Sequence, residues 1–165
     1  MSRRTDEPGW RVTLFRMLSQ PIVTTFFGAV VDHADLALMR TTNGRFSITA
    51  WITGWPVVTL TTIGAHSGQP RQTPLIGIPQ EDRFILIASN FGRPKHPAWY
   101  HNLKKHPSVE LFLNGHSATY IAREAQGDER QCYWQLAAQV NPGFDAYAAR
   151  AIGRTIPVIV LDPDW

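Results

Sequence analysis

The sequence predicts an α+β domain rich in β-structure: a barrel-like sheet with helices packed outside it and a helical segment at the N-terminus. Three observations predict it. Short apolar or alternating runs separated by tight turns fill the middle, from Pro56 to Ala122. Helical patterning is concentrated toward the two ends, over 10–39 and 128–152. No repeat, linker or low-complexity tract interrupts the 165 residues, a length that suits one domain with a real core. Within it, residues 1–39 form an N-terminal helical segment and 40–165 the barrel.

Residues 1–9 read as a frayed start. Over 10–39, Leu14, Leu18, Ile22, Phe26 and Val30 recur every four positions and make an apolar stripe. Pro21 lacks a backbone donor, so it kinks or divides this helix. The stripe suits packing on the core. It also suits an interfacial helix on a lipid surface, with Trp10, Phe15, Phe26 and Phe27 inward and Arg11 and Arg16 near its start. Residues 40–54 read as a loop with a short strand that covers the site. Pro56–Gly64 is β-branched nearly throughout and predicts a strand. Ser67–Pro70 is a turn, Thr73–Ile78 a second strand and Gln80–Arg83 another turn. The run FILIAS at 84–89 is almost wholly apolar and predicts a central strand. Pro97 to His106 is a short helix stopped by Pro107. Asn114-Gly115 between alternating runs signals a hairpin. Asp128 predicts the N-cap of a helix ending near Val140. A short helix over 145–152 and a closing strand over 156–161 complete the chain.

Composition excludes several classes. Apolar residues are 44% and charged residues 18%, an ordinary globular balance. Sixteen Lys+Arg against thirteen Asp+Glu give a net charge of +3. The basic residues are scattered, which argues against nucleic acid and for a local pocket that takes an acidic small molecule. The single cysteine, Cys132, cannot form an internal disulfide, which favours a reducing, cytoplasmic setting. It sits in a predicted helix without a basic neighbour in sequence and reads as an inert thiol. No segment reaches the ~20 apolar residues that span a bilayer, and Asp6 and Glu7 follow the early arginines, against a signal peptide.

Two polar loops beside apolar strands carry the chemistry. The turn Ala65–Gln72, AHSGQPRQ, offers the Ser67 hydroxyl, backbone amides around Gly68 and the planar donor fork of Arg71, a set matched to phosphate or carboxylate. The same residues also serve solubility alone. The second loop, SNFGRPKHP at 89–97, follows the most apolar strand, and loops at strand ends commonly carry function. Arg93 and Lys95 are basic there, and Trp99 and Tyr100 open a helix whose amide end favours anions. Trp99 reads both as a core anchor and as a ring support. His96, His101 and His106 step by five residues, off one helical face, so no metal is assigned. The GxSxG and GxGxxG signatures are absent from the sequence, against an α/β-hydrolase or a Rossmann enzyme.

Five blocks, PVVTLTTIG, SGQPRQTPL, IASN, KHPAWYHNLKKHP and RTIPVIVLDP, resemble in order and spacing the deazaflavin-dependent nitroreductase family of split β-barrel oxidoreductases. The resemblance runs from about Pro56 to Pro163. It implies the split β-barrel (FMN-binding-protein-like) fold and coenzyme F-420, an 8-hydroxy-5-deazaflavin with a phosphate and a polyglutamate tail. It assigns phosphate and tail to His66, Ser67, Gly68, Arg71 and Thr73, with Pro74 and Leu75 beside them. It lines the ring with Ala88, Ser89 and Asn90, supported by Trp99. Lys95 joins the set on its charge. Three departures stand out. Ala65 and His66 replace the usual Arg-Lys before the SG turn, Asn90 stands where Lys is common, and of Asn141, Phe144 and Tyr147 only the last keeps a phenol.

The expected activity is hydride transfer from reduced F-420 to a quinone, an enone or a nitro-type acceptor. Ser89 would hydrogen-bond the ring or substrate, Tyr147 would give a proton or orient the acceptor, and Phe144 and Trp51 would supply apolar walls. The alternatives are the same fold using FMN or haem, and a non-catalytic, membrane-associated module that binds cofactor or lipid. The edge strands suit a monomer or a homodimer.

Overall fold

In the computed structural model, the described residues are 37–38, 41–42 and 56–164. The expected N-terminal helix and Trp51 lie outside them. Seven strands form one antiparallel sheet: β1 Val57–Ile63, β2 Pro70–Ile76, β3 Ile78–Gln80, β4 Arg83–Ile87, β5 Ser108–Leu113, β6 His116–Glu124 and β7 Val158–Pro163. Their order is β2-β1-β5-β6-β7-β4-β3.

The two outermost strands of that order, β2 and β3, are consecutive in sequence and separated only by Gly77. Two strands joined through a single residue cannot be the opposite ends of a flat seven-stranded sheet, so the sheet curls until its ends meet. Gly77 is the corner. Its amide donates to the Pro56 carbonyl at 3.0 Å, and a Cβ there would lie 2.7 Å from Val58 Cγ1. The strand expected over 73–78 therefore starts earlier, at Pro70, and breaks at this glycine, as strand glycines do where backbones crowd.

Curling creates two cores. The concave face gathers Val58, Leu60, Leu86, Ala88, Val109, Leu111, Ala122, Ile159 and Leu161, plugged by Trp99 and Leu103 from helix α1, Ala98–Lys105. On the other face of β4 and β7, Ile85, Ile87, Val158 and Val160 pack with Ala137 and Val140 of α2, Gly127–Val140, and with Phe144 and Tyr147 of α3, Gly143–Arg150. The expectation that FILIAS forms a central strand is corrected: β4 lies second from an end of the sheet order, between β7 and β3. Its continuous apolar sequence follows from burial on both faces, which α2 and α3 bring about.

The Asn114-Gly115 hairpin forms with both residues at positive φ, 51° and 85°, and with Leu113 paired to His116. The Asp128 cap does not form. Gln126 holds the cap position, and Asp128 and Glu129 lie in the first turn, where carboxylates favour the amide end. Arg123 Nη1 and Nη2 donate to Glu129 at 2.7 and 2.8 Å, and Arg123 Nε donates to Asp162 at 2.6 Å. This network ties the start of α2 to β6 and β7. Among the described residues, no helix is long and apolar enough to cross a membrane.

Candidate functional site

The turn between β1 and β2 is built by short-range hydrogen bonds. The Gly64 amide donates to the Gln69 carbonyl at 2.9 Å and the Gly68 amide to the Gly64 carbonyl at 2.8 Å. The Gln69 amide donates to Ser67 Oγ at 3.3 Å. Gly68, at φ +66°, takes the left-handed conformation that the turn needs. These bonds correct one expectation: most amides around Gly68 are already used within the turn and do not form an open anion nest. Among the described residues, the amides of His66 and Ser67 have no hydrogen-bond partner, and both residues are exposed.

Helix α1 fastens this turn from behind. Asn102 is buried and accepts from the Ala65 amide at 2.9 Å, while its Nδ2 donates to Thr62 Oγ1 at 3.0 Å. Lys105 Nζ donates to the Ala65 carbonyl at 2.7 Å. Lys105 thus brings a cation to the place where the usual Arg-Lys pair is replaced by Ala65 and His66. Neither Asn102 nor Lys105 was singled out by the sequence reading; an asparagine within an amphipathic helix gives no local sign of such a partner.

Arg71 pairs with Thr62 in the β1–β2 register, two residues from Thr73 and four from Leu75. All three stand on the strand face that carries Leu60 and Thr62 inward, because directly opposed residues share a face. Pro74 stands on the other face, half-buried. The Arg71 side chain is exposed and makes no hydrogen bond or ion pair to the described residues. It is available to a ligand.

The second loop follows β4 and is strained. Asn90, Phe91 and Gly92 have φ of 46°, 56° and 75°, three consecutive left-handed residues. For a bulky residue such as Phe91 this is costly, about 1–3 kcal/mol, and persists only where surroundings enforce it. Asn90 Nδ2 donates to the Lys95 carbonyl at 2.8 Å, and Arg150 Nη2 to the Phe91 carbonyl at 3.3 Å. Gly92 is buried under α3, and a Cβ there would lie 2.6 Å from the Tyr147 carbonyl oxygen. Gly92→Ala should therefore lower stability by about 1–3 kcal/mol through left-handed strain and crowding. Chemical denaturation of the two proteins measures it, and an unchanged midpoint would show the loop to be more yielding than drawn.

Ala88 is fully buried at the base of this loop, in the same core as Trp99. Ser89 is half-buried and its hydroxyl has no partner among the described residues. Lys95 is exposed. Phe144 and Tyr147 lie in the other core, with the Tyr147 ring 5.9 Å from Phe91 and 6.0 Å from Phe144 in edge-on contacts. Burial pushes the Tyr147 phenol above its ordinary pKa, with Arg150 opposing. It keeps its proton at neutral pH.

His96 closes the loop. Its Nδ1 lies 3.2 Å from Arg154 Nη1, and because arginine only donates, that nitrogen is the acceptor of a neutral ring. The ring also meets Tyr100 at 4.8 Å and His101 at 6.0 Å. Tyr100 in turn donates to Glu124 at 2.9 Å, and burial together with that carboxylate pushes its phenol up to about 12. Burial lowers the His96 pKa from 6.5, helped by Arg154 and His101 and opposed by Glu124. With a native pKa below the unfolded one, the contribution of His96 to stability is full above pH 6.5 and lost as pH falls through the native value. The melting temperature should fall from pH 7 to pH 5 by more in the wild type than in His96→Gln. Identical pH dependence in both proteins would contradict this. No group of three His, Cys, Asp or Glu side chains is poised to hold a metal among the described residues.

Helix α1 joins the two loops. Trp99 packs beside Ala88, and Lys105, about 9 Å further along the axis, holds the turn. A curled antiparallel sheet with a cationic turn at one end of a short helix and an apolar strand end at the other defines a split-barrel protein. The chain belongs to the F420H(2)-dependent quinone reductase family, whose model matches residues 33–163. A protein of Mycobacterium tuberculosis (strain H37Rv) named as an F420H(2)-dependent quinone reductase is 36% identical over 129 residues, covering 76% of this chain and 85% of its own length. A solved structure of an F420-H2 dependent reductase superposes with a TM-score of 0.60 at 36% identity, over 65% of this chain and 94% of that one. A second, described as a domain-swapped dimer, gives the same score and identity over 65% of this chain and 80% of that one. The F-420 chemistry read from the five sequence blocks agrees with this membership.

Proposed function

We propose that the protein is an oxidoreductase that passes a hydride from reduced coenzyme F-420 to a quinone. One observation carries the reading: an Arg71 guanidinium that is exposed and without a partner among the described residues stands at a turn that α1 ties to the strand end at Ala88. The residues fit the cofactor. Arg71, Ser67, Gly68 and the amides of His66 and Ser67, unpaired among the described residues, would hold its phosphate and tail, with Thr73, Pro74 and Leu75 along β2. Lys105 adds charge at Ala65, and Lys95 flanks the ring end. Ala88, Ser89 and Asn90 line the ring, over the support given by Trp99. The bound cofactor supplies the hydride; the protein orients it and excludes water.

Ser89, half-buried and with its hydroxyl unpaired among the described residues, would hydrogen-bond the ring or the acceptor. Tyr147 is a protonated donor beneath the Asn90–Gly92 turn, and Phe144 beside it forms an apolar wall. The cofactor-binding unit is 40–165, acting as a monomer or homodimer in the cytoplasm.

Mixing the protein with reduced F-420 and menadione should restore the absorbance of the oxidised cofactor at a rate proportional to enzyme. No spectral change with any quinone or enone would contradict turnover.

A further inference from the structure

We propose that Arg154 is a positioning residue for the cofactor-facing loop: its guanidinium holds the backbone of residues 88–93 and the His96 ring in the arrangement that presents the strand end to the ring. This rests on the reading that Ala88, Ser89 and Asn90 line the deazaflavin.

Arg154 lies in the segment between α3 and β7, some sixty residues from the loop it grips. Nη2 donates to the Ser89 carbonyl at 2.6 Å, Nη1 to the Ala88 carbonyl at 3.4 Å, and Nε to the Arg93 carbonyl at 2.8 Å. Nη1 also reaches His96 Nδ1 at 3.2 Å. One planar group thus binds the loop on both sides of its left-handed run, at 88 and 89 before it and at 93 and 96 after it. Among the described residues the run itself holds two short backbone bonds, Gly92 to Ser89 and Arg93 to Asn90, besides the side-chain bonds of Asn90 and Arg150. Three consecutive positive-φ residues do not hold their shape unaided.

A guanidinium suits this task because its donors diverge in a fixed plane; a lysine offers one point of attachment. No carboxylate pairs with Arg154 among the described residues. Its charge is met by carbonyl dipoles, so it acts through the loop backbone. Burial lowers its pKa from the ordinary value.

The test compares wild type, Arg154→Met and Arg154→Lys in F-420 titrations followed by tryptophan fluorescence, in kcat and KM with menadione, and in amide exchange of residues 88–96. Arg154→Met should weaken F-420 binding about tenfold or more and speed exchange at 89–93. Millimolar guanidinium chloride should restore part of the affinity, and sodium chloride at the same concentration should not. A merely structural role would lower the melting temperature without such rescue. Arg154→Lys should fall between the two, and it carries the test if the methionine variant does not fold. Wild type that binds F-420 while both variants bind it equally well would overturn the proposal. Wild type that binds no F-420 would instead overturn the cofactor reading, and unchanged loop exchange in the variants would still count against the grip of Arg154.

Discussion

Arg71→Ala lowers the affinity for coenzyme F-420 ten- to a hundredfold. The guanidinium is exposed at the start of β2, in register with Thr62, and makes no hydrogen bond or ion pair to the described residues. Its removal therefore costs no hydrogen bond or ion pair among the described residues, and the loss is the charge-assisted bond to the ligand, about 1.5–3 kcal/mol. That converts to the stated range. Two further results follow from the same cause. The melting temperature of Arg71→Ala without ligand stays within about 1–2 °C of wild type, because surface substitutions away from special features change stability little. F-420 affinity of the wild type falls with added salt and does so less steeply in the variant, because one exposed cation has been removed. Fluorescence titration at two salt concentrations reads both effects. Equal affinity in wild type and Arg71→Ala would place the anionic group elsewhere.

Trp99→Ala destabilises the fold by about 3–5 kcal/mol, the usual cost of emptying a large aromatic site. Trp99 is 5% exposed and plugs the concave core together with Leu103, against Leu60, Leu86, Ala88 and Ile159. A curled sheet leaves a hollow that its own short side chains do not fill, and the indole fills it. The melting temperature should drop by on the order of 10 °C. Trp99→Phe, which keeps most of the volume, should lose less than half as much. The cavity also removes the packing behind Ala88, so F-420 binding weakens in Trp99→Ala even at temperatures where the protein is folded. A stability change under about 1 kcal/mol would mean that the core relaxes around the loss.

Much of this fold was legible in the sequence because its signals are local. The β-branched run at 57–63 paired as a strand, and Asn114-Gly115 turned the hairpin, since two-residue turns of that composition match the twist of the strands they join. What escaped is what depends on the curl of the sheet. The apolar run at 84–89 suggested a central strand, yet its burial comes from α2 and α3 covering the outer face of a strand near the end of the order. Gly77 gave no sign of being the corner where both ends of the sheet meet. Asp128 had the composition of a cap, but the Arg123–Glu129 bonds accompany a helix whose cap, Gln126, lies two residues earlier.

The candidate site divides in the same way. Arg71, Ser67 and Gly68 announce themselves by residue type within one turn. Asn102, Lys105 and Arg154 act across forty to sixty residues of sequence on backbone atoms, and backbone partners leave no trace in side-chain composition. Tyr147 was legible within a short helix and Phe144 just before it, but the helix begins at Gly143 and holds both in the core behind β4.

A crystal structure of the protein with F-420 tests the central claim most directly. The phosphate and tail should lie within hydrogen-bonding distance of Arg71 and the turn at 64–69, with the deazaflavin against Ala88, Ser89 and Asn90. A ligand bound away from that turn, or a ring packed on a surface other than the end of β4, would contradict it.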